Sequence, residues 1–459
     1  MSLQEIEIDT EEAVDAKNVL GFIDSPISIK YVTAGRIAQS VLAYLVKEIT
    51  EQRLSNVYDI CSAGDALIEQ ETNKIFKNVD EKGVAAPTTV DINNCVSGYS
   101  PIDRDSSYVL NNGDLAKISL GVHIDGYTSL VSHTLIALPT IPLQDQVAPA
   151  TGPIADLVCA TSLAKEAVIS LLGSILQRYD NQSGYYHDKP ITGERIRDVV
   201  ESVAKSFKVK IVPGSTVRRI KRFLVGQNTV HEVDVKGYTW GSLSIDSMAD
   251  DKDEGDLKKI VDSESIVEAG EAWLIDITMC SYTGLESDLS KHNPVQVSRR
   301  TVKPHKDLKT TIFTRDYNVT LSMKARSSRG VLTEIDNRKS VFPIHLNSLL
   351  TPGAPLGVAA LAKSQILYPT SVMMILGSPA PIAARERATI LLMPSNKRDE
   401  VVYLSGDLKP SWVHSDFEIV DEEIAELLSE QRAGVKIRNI KETPMALDKK
   451  NETDAMEIE

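Results

Sequence analysis

Apolar residues recur at helical spacing in four parts of the chain and alternate with polar residues in several others. Ile37, Val41, Leu45 and Ile49 repeat every four residues, which predicts a helix over 32–53. The same patterns predict helices over 56–76, 154–175 and 193–207, and strands over 86–92, 106–110, 116–123, 127–138, 209–213, 271–278, 386–393 and 400–404. This mixture of elements indicates an α+β protein.

The stretch from Lys117 to Thr134 carries the strongest local pattern. Its Asp125-Gly126 dipeptide lies between two apolar runs and is typical of a two-residue hairpin turn. With that turn, Ser119 and Leu130 fall on one face of the two strands, as opposed or diagonal partners about 5–8 Å apart.

This hairpin resembles the one in the methionine-aminopeptidase-like, or pita-bread, superfamily. In that superfamily aspartates at the places of Ser119 and Leu130 bridge two metal ions. The sequence NNCVSGY is similar to a peptidase segment whose histidine contacts the substrate, and Gly98 stands at that histidine's place. The sequence RFLVGQ is similar to a motif with a ligand histidine, whose place is taken by Phe223.

Two further segments complete the resemblance. In AWLIDIT, Asp276 replaces a ligand glutamate. In RATILLMP, Arg387 replaces a second ligand glutamate, or alternatively Glu386 stands there if the register slips by one. His123 and His231 stand where the related peptidases have pocket histidines. The resemblance therefore implies a pita-bread fold in which these positions mark a vestigial pocket.

The residues at the five ligand positions predict that catalysis has been lost. A two-metal hydrolase needs several carboxylates and a histidine around ions about 3.5–4 Å apart. This chain offers a hydroxyl, an alkyl group, a phenyl ring, one carboxylate and a guanidinium. A permanent positive charge at Arg387 disfavours cations at the same place. We therefore expect neither a metal nor another cofactor, and we expect a protein that is not an enzyme.

Composition narrows the class of protein. At 459 residues with 42% hydrophobic content, the chain can bury a large core as one or two domains. Its four cysteines are scattered, which suits reduced thiols in the nucleus or cytosol. The N-terminus lacks the apolar region of a signal peptide, and no uncharged apolar run reaches the ~20 residues of a membrane helix. We expect an intracellular protein with no membrane partner.

The resemblance also predicts the domain organisation. Residues 18–285 and 380–442 are expected to form the pita-bread domain, between a disordered acidic leader (1–17) and a disordered acidic tail (443–459). The long spacing between Asp276 and Arg387 resembles the type 2 branch of the superfamily, which carries a small inserted subdomain there. We call residues 286–379 the insert. Its sequence VLTEIDNRKSVFPIHL predicts a helix followed by a strand, as in a winged helix.

Charge is concentrated in the insert. Between Lys291 and Lys339 twelve Lys and Arg stand against four acids, a net charge of +8 in a chain of −14, so the remainder is −22. Basic islands on an acidic protein favour local binding of polyanions. The candidate RNA- or ribosome-binding residues are Arg218, Arg219, Lys221, Arg222, Arg299, Arg300, Lys303, Lys306, Lys309, Arg326, Arg329, Arg338 and Lys339.

Within the superfamily, GVHIDGYTSLVSHT, VPGSTVRRIKRFLVGQN and KPSWVHS resemble fungal shuttling factors that escort the large ribosomal subunit precursor out of the nucleus. This resemblance implies a non-catalytic adaptor, in the nucleus and the cytoplasm, that binds near the exit of the peptide tunnel. Its implied partners are ribosomal RNA, ribosomal proteins, phenylalanine-glycine repeats of the nuclear pore, and other biogenesis and export factors.

Two alternative functions stay open at this point. One is a metalloprotease of the methionine-aminopeptidase type with a rearranged metal site, although fold alone does not carry activity. The other is a DNA-binding regulator that uses the winged-helix-like insert. No recognition helix with base-reading residues can be identified for it.

Overall fold

The computed structural model describes residues 25–138, 148–178, 190–224, 236–241, 263–281, 302–306, 308–337, 341–378, 380–393, 400–405, 408–429, 436–440 and 445. The predicted leader lies outside these residues. So does the predicted tail, apart from Met445.

The four helices predicted from periodicity are confirmed; the first begins seven residues earlier than predicted, and the other ends differ by at most three residues. Asn56 accepts a hydrogen bond from the backbone of Tyr58 and so begins the second helix, and Thr192 accepts one from Arg195 at the start of another. The helices are α1 (Ser25–Thr50), α2 (Val57–Lys74), α3 (Pro153–Gly173), α4 (Ile175–Arg178), α5 (Gly193–Ser206), α6 (Arg326–Asn337), α7 (Ala354–Lys363) and α8 (Glu422–Leu428). Within the described residues, none of the helices combines the length and apolar composition that spanning a bilayer requires.

The strands form one large sheet and two small ones. They are β1 (Lys82–Ile92), β2 (Cys95–Ser97), β3 (Leu115–Ile124), β4 (Tyr127–Ile136), β5 (Lys210–Ile211), β6 (Ser215–Ile220), β7 (Gly237–Trp240), β8 (Ala272–Cys280), β9 (Val302–Pro304), β10 (Ile312–Arg315), β11 (Ile344–His345), β12 (Leu367–Thr370), β13 (Met373–Ile375), β14 (Ala383–Met393), β15 (Glu400–Tyr403) and β16 (Lys436–Asn439). The large sheet runs in the order β1-β3-β4-β14-β8-β6-β7. Strand β5 is added at β8, β15 at β14, and β16 at β15.

The strand predicted over 106–110 is wrong. The backbone of this segment bonds to the start of α2: Tyr108 accepts from the Val57 amide and Leu110 donates to Ser55. The Tyr108 amide donates to the hydroxyl of Tyr99. These groups are satisfied without a ladder, and only an isolated bridge forms at Val109.

The two faces of the large sheet differ. Both helix pairs pack on one face: α1 and α2 form one apolar core with β1, β3 and β4, and α3 and α5 form another with β8 and β14. The opposite face carries a third cluster that includes Leu130, Leu274 and Leu391. Because side chains alternate along a strand, Ser119, Asp276 and Arg387 also lie on this opposite face.

The insert has a compact part with its own core. Strands β11, β10 and β12 form a three-stranded sheet, against which α6 and α7 pack. The helix-then-strand order matches the expectation for this sequence, with α6 followed by β11. Strands β9 and β13, at the two ends of the insert, pair with each other and β13 pairs with β2 of the main domain.

Candidate functional site

The hairpin at the centre of the site has the predicted turn. Both Asp125 (φ 54°) and Gly126 (φ 78°) have positive φ, as a type I′ turn requires. Ser119 lies directly opposite Ser132, to which it donates a hydrogen bond of 2.8 Å, and Leu130 lies opposite Gly121. Ser119 and Leu130 are therefore diagonal neighbours on one face, as predicted.

Asp276 lies beside two arginines of the neighbouring strand. It is paired with Arg387 across the β8–β14 ladder, and Arg385 is on the same face two residues away. Arg385 donates through Nε to Oδ1 at 2.8 Å and through Nη2 to Oδ2 at 2.7 Å; Arg387 donates through Nε to Oδ2 at 2.9 Å. Hydrogen bonds between two charged groups, as here, are among the strongest in proteins.

This arrangement fixes the carboxylate in its charged form. Burial alone would raise the pKa of Asp276, but the guanidinium groups of Arg385 and Arg387 hold that pKa well below its usual range. Asp91 and Lys117 are buried in the same region and interact with the arginines. Burial lowers the pKa of Lys117 to about 8. The region thus contains Arg385, Arg387 and Lys117 together with the carboxylates of Asp276 and Asp91, and the Asp114 carboxylate also acts on Lys117.

The alternative ligand Glu386 belongs to the other face of the sheet. Its carboxylate lies 2.9 Å from Lys165 Nζ on α3 and 3.0 Å from His133 Nδ1. Burial raises its pKa, but Lys165 and His133 outweigh burial and lower that pKa to about 2. Because neighbouring strand residues point to opposite faces, Arg387 and not Glu386 shares a face with Asp276.

Apolar and aromatic side chains fill the rest of the site. Leu130 is buried, and Phe223, at φ 61°, packs over Gly126 and donates its backbone N–H to Gly126 at 2.9 Å. His123 is buried under the ring of Phe342, which comes from the insert; the ring centroids are 4.3 Å apart. Burial lowers the pKa of His123 to about 4, so this imidazole is neutral at pH 7.

Gly98 has no room for the histidine of the related peptidases. Its φ is 88°, a backbone conformation that residues other than glycine rarely adopt. A Cβ atom at this position would lie 2.7 Å from the carbonyl oxygen of Ser371. A side chain here would require the backbone of the neighbouring segment to move.

The residues present do not fit a pair of metal ions. The hydroxyl of Ser119 is bonded to Ser132, and Leu130 and Phe223 have no donor atom. The oxygens of Asp276 are taken by guanidinium groups, and Arg387 adds a positive charge. Among the described residues, no group of three His, Cys, Asp or Glu side chains could hold a metal ion.

The basic cluster at residues 218–222 fits its expected role as an RNA contact only in part. Arg218 is buried, and Arg219 donates to Glu271 at 3.0 Å with little of its side chain exposed. The side chains of these two arginines therefore lie inside the protein near β6 and β8, and not on a surface that RNA could contact. Lys221 and Arg222 are exposed, although Arg222 also forms an ion pair with Asp125.

The basic residues of the insert remain surface candidates where they are described. The candidate residues of the insert that are exposed are Lys303, Lys306, Lys309, Arg326 and Arg329. Outside the described residues lie His231, Arg299, Arg300, Arg338 and Lys339.

Two site residues were missed by sequence reasoning. Arg385 stands one residue before the predicted strand 386–393 and was therefore left out; the strand begins at Ala383, so Arg385 shares a face with Arg387. Phe342 is more than a hundred residues from Phe223 and His123, and no local pattern connects them.

Comparisons with known proteins identify the family and the fold. No family model matches the chain. A Schizosaccharomyces pombe protein named "Probable metalloprotease arx1" is 34% identical over 424 residues, which cover 89% of this chain and 94% of that protein. The solved "Structure of a thermophilic Arx1" is 22% identical, covers 89% of this chain and 99% of its own, and has a TM-score of 0.66. A methionine aminopeptidase from Rickettsia prowazekii is 12% identical over 84% of this chain and 98% of its own, with a TM-score of 0.41. The expected pita-bread fold is confirmed.

Proposed function

Because this chain belongs to the Arx1 family, we propose that it is a non-catalytic adaptor in the biogenesis and nuclear export of the large ribosomal subunit precursor. In this proposal it binds near the exit of the peptide tunnel and moves with the particle from the nucleus to the cytoplasm. Its partners near the tunnel exit are ribosomal RNA and ribosomal proteins. On the export route they are the phenylalanine-glycine repeats of the nuclear pore and other biogenesis and export factors.

The observation that carries the non-catalytic part is the saturation of Asp276. Its two oxygens accept hydrogen bonds from Arg385 and Arg387, so the one remaining carboxylate of the ligand set is already neutralised. A hydrolase would need this carboxylate for a metal ion that activates water. The geometry supports a scaffold that acts by binding.

The distribution of exposed charge supports the ribosomal part of the proposal. Lys303, Lys306 and Lys309 are exposed within seven residues of one another, and Arg326 and Arg329 are exposed at the start of α6. Phosphate oxygens accept from such cations without a sequence code, which suits a folded RNA surface.

Co-sedimentation with purified large subunits tests the proposal. Binding should weaken between about 50 and 200 mM salt, because cations that contact phosphates release counterions. Changing Lys303, Lys306 and Lys309 together to Glu should reduce the slope of log affinity against log salt by about two to three. Binding that is absent even at low salt would contradict the proposal.

A matched charge reversal controls for net charge. Lys47, Lys77 and Lys205 are also exposed, but they lie outside the insert. Changing these three to Glu alters the net charge equally and should leave the affinity for large subunits unchanged. Equal losses in both triple variants would mean that total charge, and not the insert, governs binding.

The alternative is a methionine-aminopeptidase-type metalloprotease with a rearranged metal site, the activity that the names of the relatives carry. It predicts turnover of methionyl peptides after loading with cobalt, manganese or zinc. A metal-dependent rate that Asp276→Asn abolishes would favour this alternative over the adaptor.

A further inference from the structure

Phe342 joins the insert to the former metal centre. Its side chain is 2% exposed and belongs to the apolar cluster that contains Leu130 and Leu274 on the site face of the sheet. Its ring lies 4.3 Å from that of His123 and 6.2 Å from that of Phe223, in tilted orientations. A residue of the insert thus packs against His123 and Phe223 at two positions of the vestigial site, and it shares an apolar cluster with Leu130 at a third.

The chain on either side of Phe342 is also attached to the main domain. Thr311, next to β10, donates to the carbonyl oxygen of Ser100 at 2.6 Å, and His345 Nε2 lies 3.2 Å from the same oxygen. Asn347 donates to the carbonyl oxygen of Ile102 at 3.1 Å. These polar contacts set the position of β11, and the ring of Phe342 is the apolar contact next to them.

We propose that the pocket which replaced the metal centre is a receptor for an aromatic side chain, and that its ligand in this chain is Phe342. The walls of this pocket are the alkyl group of Leu130, the ring of Phe223 and the flat imidazole of His123, and these surfaces suit a ring. Substitution of the ligand positions by apolar residues therefore gave the site a new role. It anchors the insert and fixes the direction in which its exposed cations point.

The neutral state of His123 is consistent with this role. Its imidazole is buried beside the ring, and burial lowers its pKa to about 4. A neutral imidazole stacks against a phenyl ring without the desolvation cost of a buried cation.

Amide hydrogen exchange on the full chain tests the proposal. Phe342→Ala should speed exchange by about tenfold or more in the turn 221–224, where the Phe223 amide reports on the pocket wall. Phe223→Ala should reciprocally speed exchange at 344–346 in the insert, where the Leu346 amide bonds to Thr311. Protease cleavage within the insert should accelerate in both variants.

A control variant separates anchoring from general loss of stability. Ile335 is 1% exposed and packs in the insert's own core with Val331 and Leu361. Ile335→Ala should raise exchange within α6 and leave the turn 221–224 unchanged. If Phe342→Ala leaves that turn unchanged, or if Ile335→Ala affects it equally, the pocket is not the receptor. Neither readout uses ribosomes, so failure here is distinguishable from failure of large-subunit binding.

Discussion

The substitution Asp276→Asn tests the electrostatics of the site most sharply. Asp276 is 6% exposed and accepts three hydrogen bonds of 2.7–2.9 Å from Arg385 and Arg387. Asparagine keeps the shape of the side chain, but it removes the charge and presents an N–H₂ group to guanidinium donors. Arg385 and Arg387 would then lose this counter-charge, and the Asp91 carboxylate would still act on both.

The expected loss of stability follows from burial. Removing one partner of a buried ion pair costs about 3–5 kcal/mol, because the other partner stays buried without compensation. Two guanidinium groups share the Asp276 carboxylate, so the upper half of that range is expected. An exposed aspartate provides the control: Asp105→Asn should change the free energy of unfolding by less than about 0.5 kcal/mol.

Urea unfolding in the presence of a chelator measures the difference, with the fluorescence of buried Trp240 and Trp273 as the signal. The sign of the effect discriminates between the two kinds of site. In a metal-free dimetal centre the ligand carboxylates repel one another, so removal of one stabilises the protein or changes little. A metal-free Asp276→Asn variant as stable as the parent chain would show that Asp276 is not the stabilising counter-charge of the two arginines.

Three further predictions concern other parts of the site. Gly98→Ala should lower the free energy of unfolding by about 1–3 kcal/mol, because alanine is strained at a φ of 88° and its Cβ would clash with the Ser371 carbonyl oxygen. A lower melting temperature would show this loss. The pKa of His123 is lowered from 6.5 to about 4, so the unfolded chain binds the proton first and stability falls as pH drops from 6.5 to 4. His123→Gln should remove about 3 kcal/mol of this fall, measured by urea unfolding at pH 7 and pH 4. Lys165→Met should destabilise by about 3–5 kcal/mol in thermal unfolding, and adding Glu386→Leu should recover part of the loss.

The sequence predicted the elements whose conformation depends on residues close together in the chain. The Asp125-Gly126 turn requires positive φ at both residues, and this dipeptide adopts that conformation with little strain. The helix from Ser25 to Thr50 has an apolar stripe that can be counted in the sequence. The segment 106–110 has strand-like composition, but its hydrogen bonds go to Ser55, Val57 and Tyr99, and nothing local indicates this.

The sequence predicted which metal-ligand atoms are missing from the site, but it did not predict the contacts that replace them. The absence of ligand atoms at Leu130 and Phe223 follows from residue identity alone. The pairing of Asp276 with two arginines depends on the register of β8 against β14, which are more than a hundred residues apart. The place of Phe342 depends on how the insert packs against the sheet, and the burial of Arg218 depends on the same kind of long-range packing.

Loss of the metal site is tested by the metal content of the purified chain after incubation with cobalt, manganese or zinc, measured together with methionyl-peptide turnover. We expect far less than one ion per chain and no turnover, because Arg385 and Arg387 already neutralise Asp276. Two ions per chain, lost in Asp276→Asn and accompanied by turnover, would contradict this expectation.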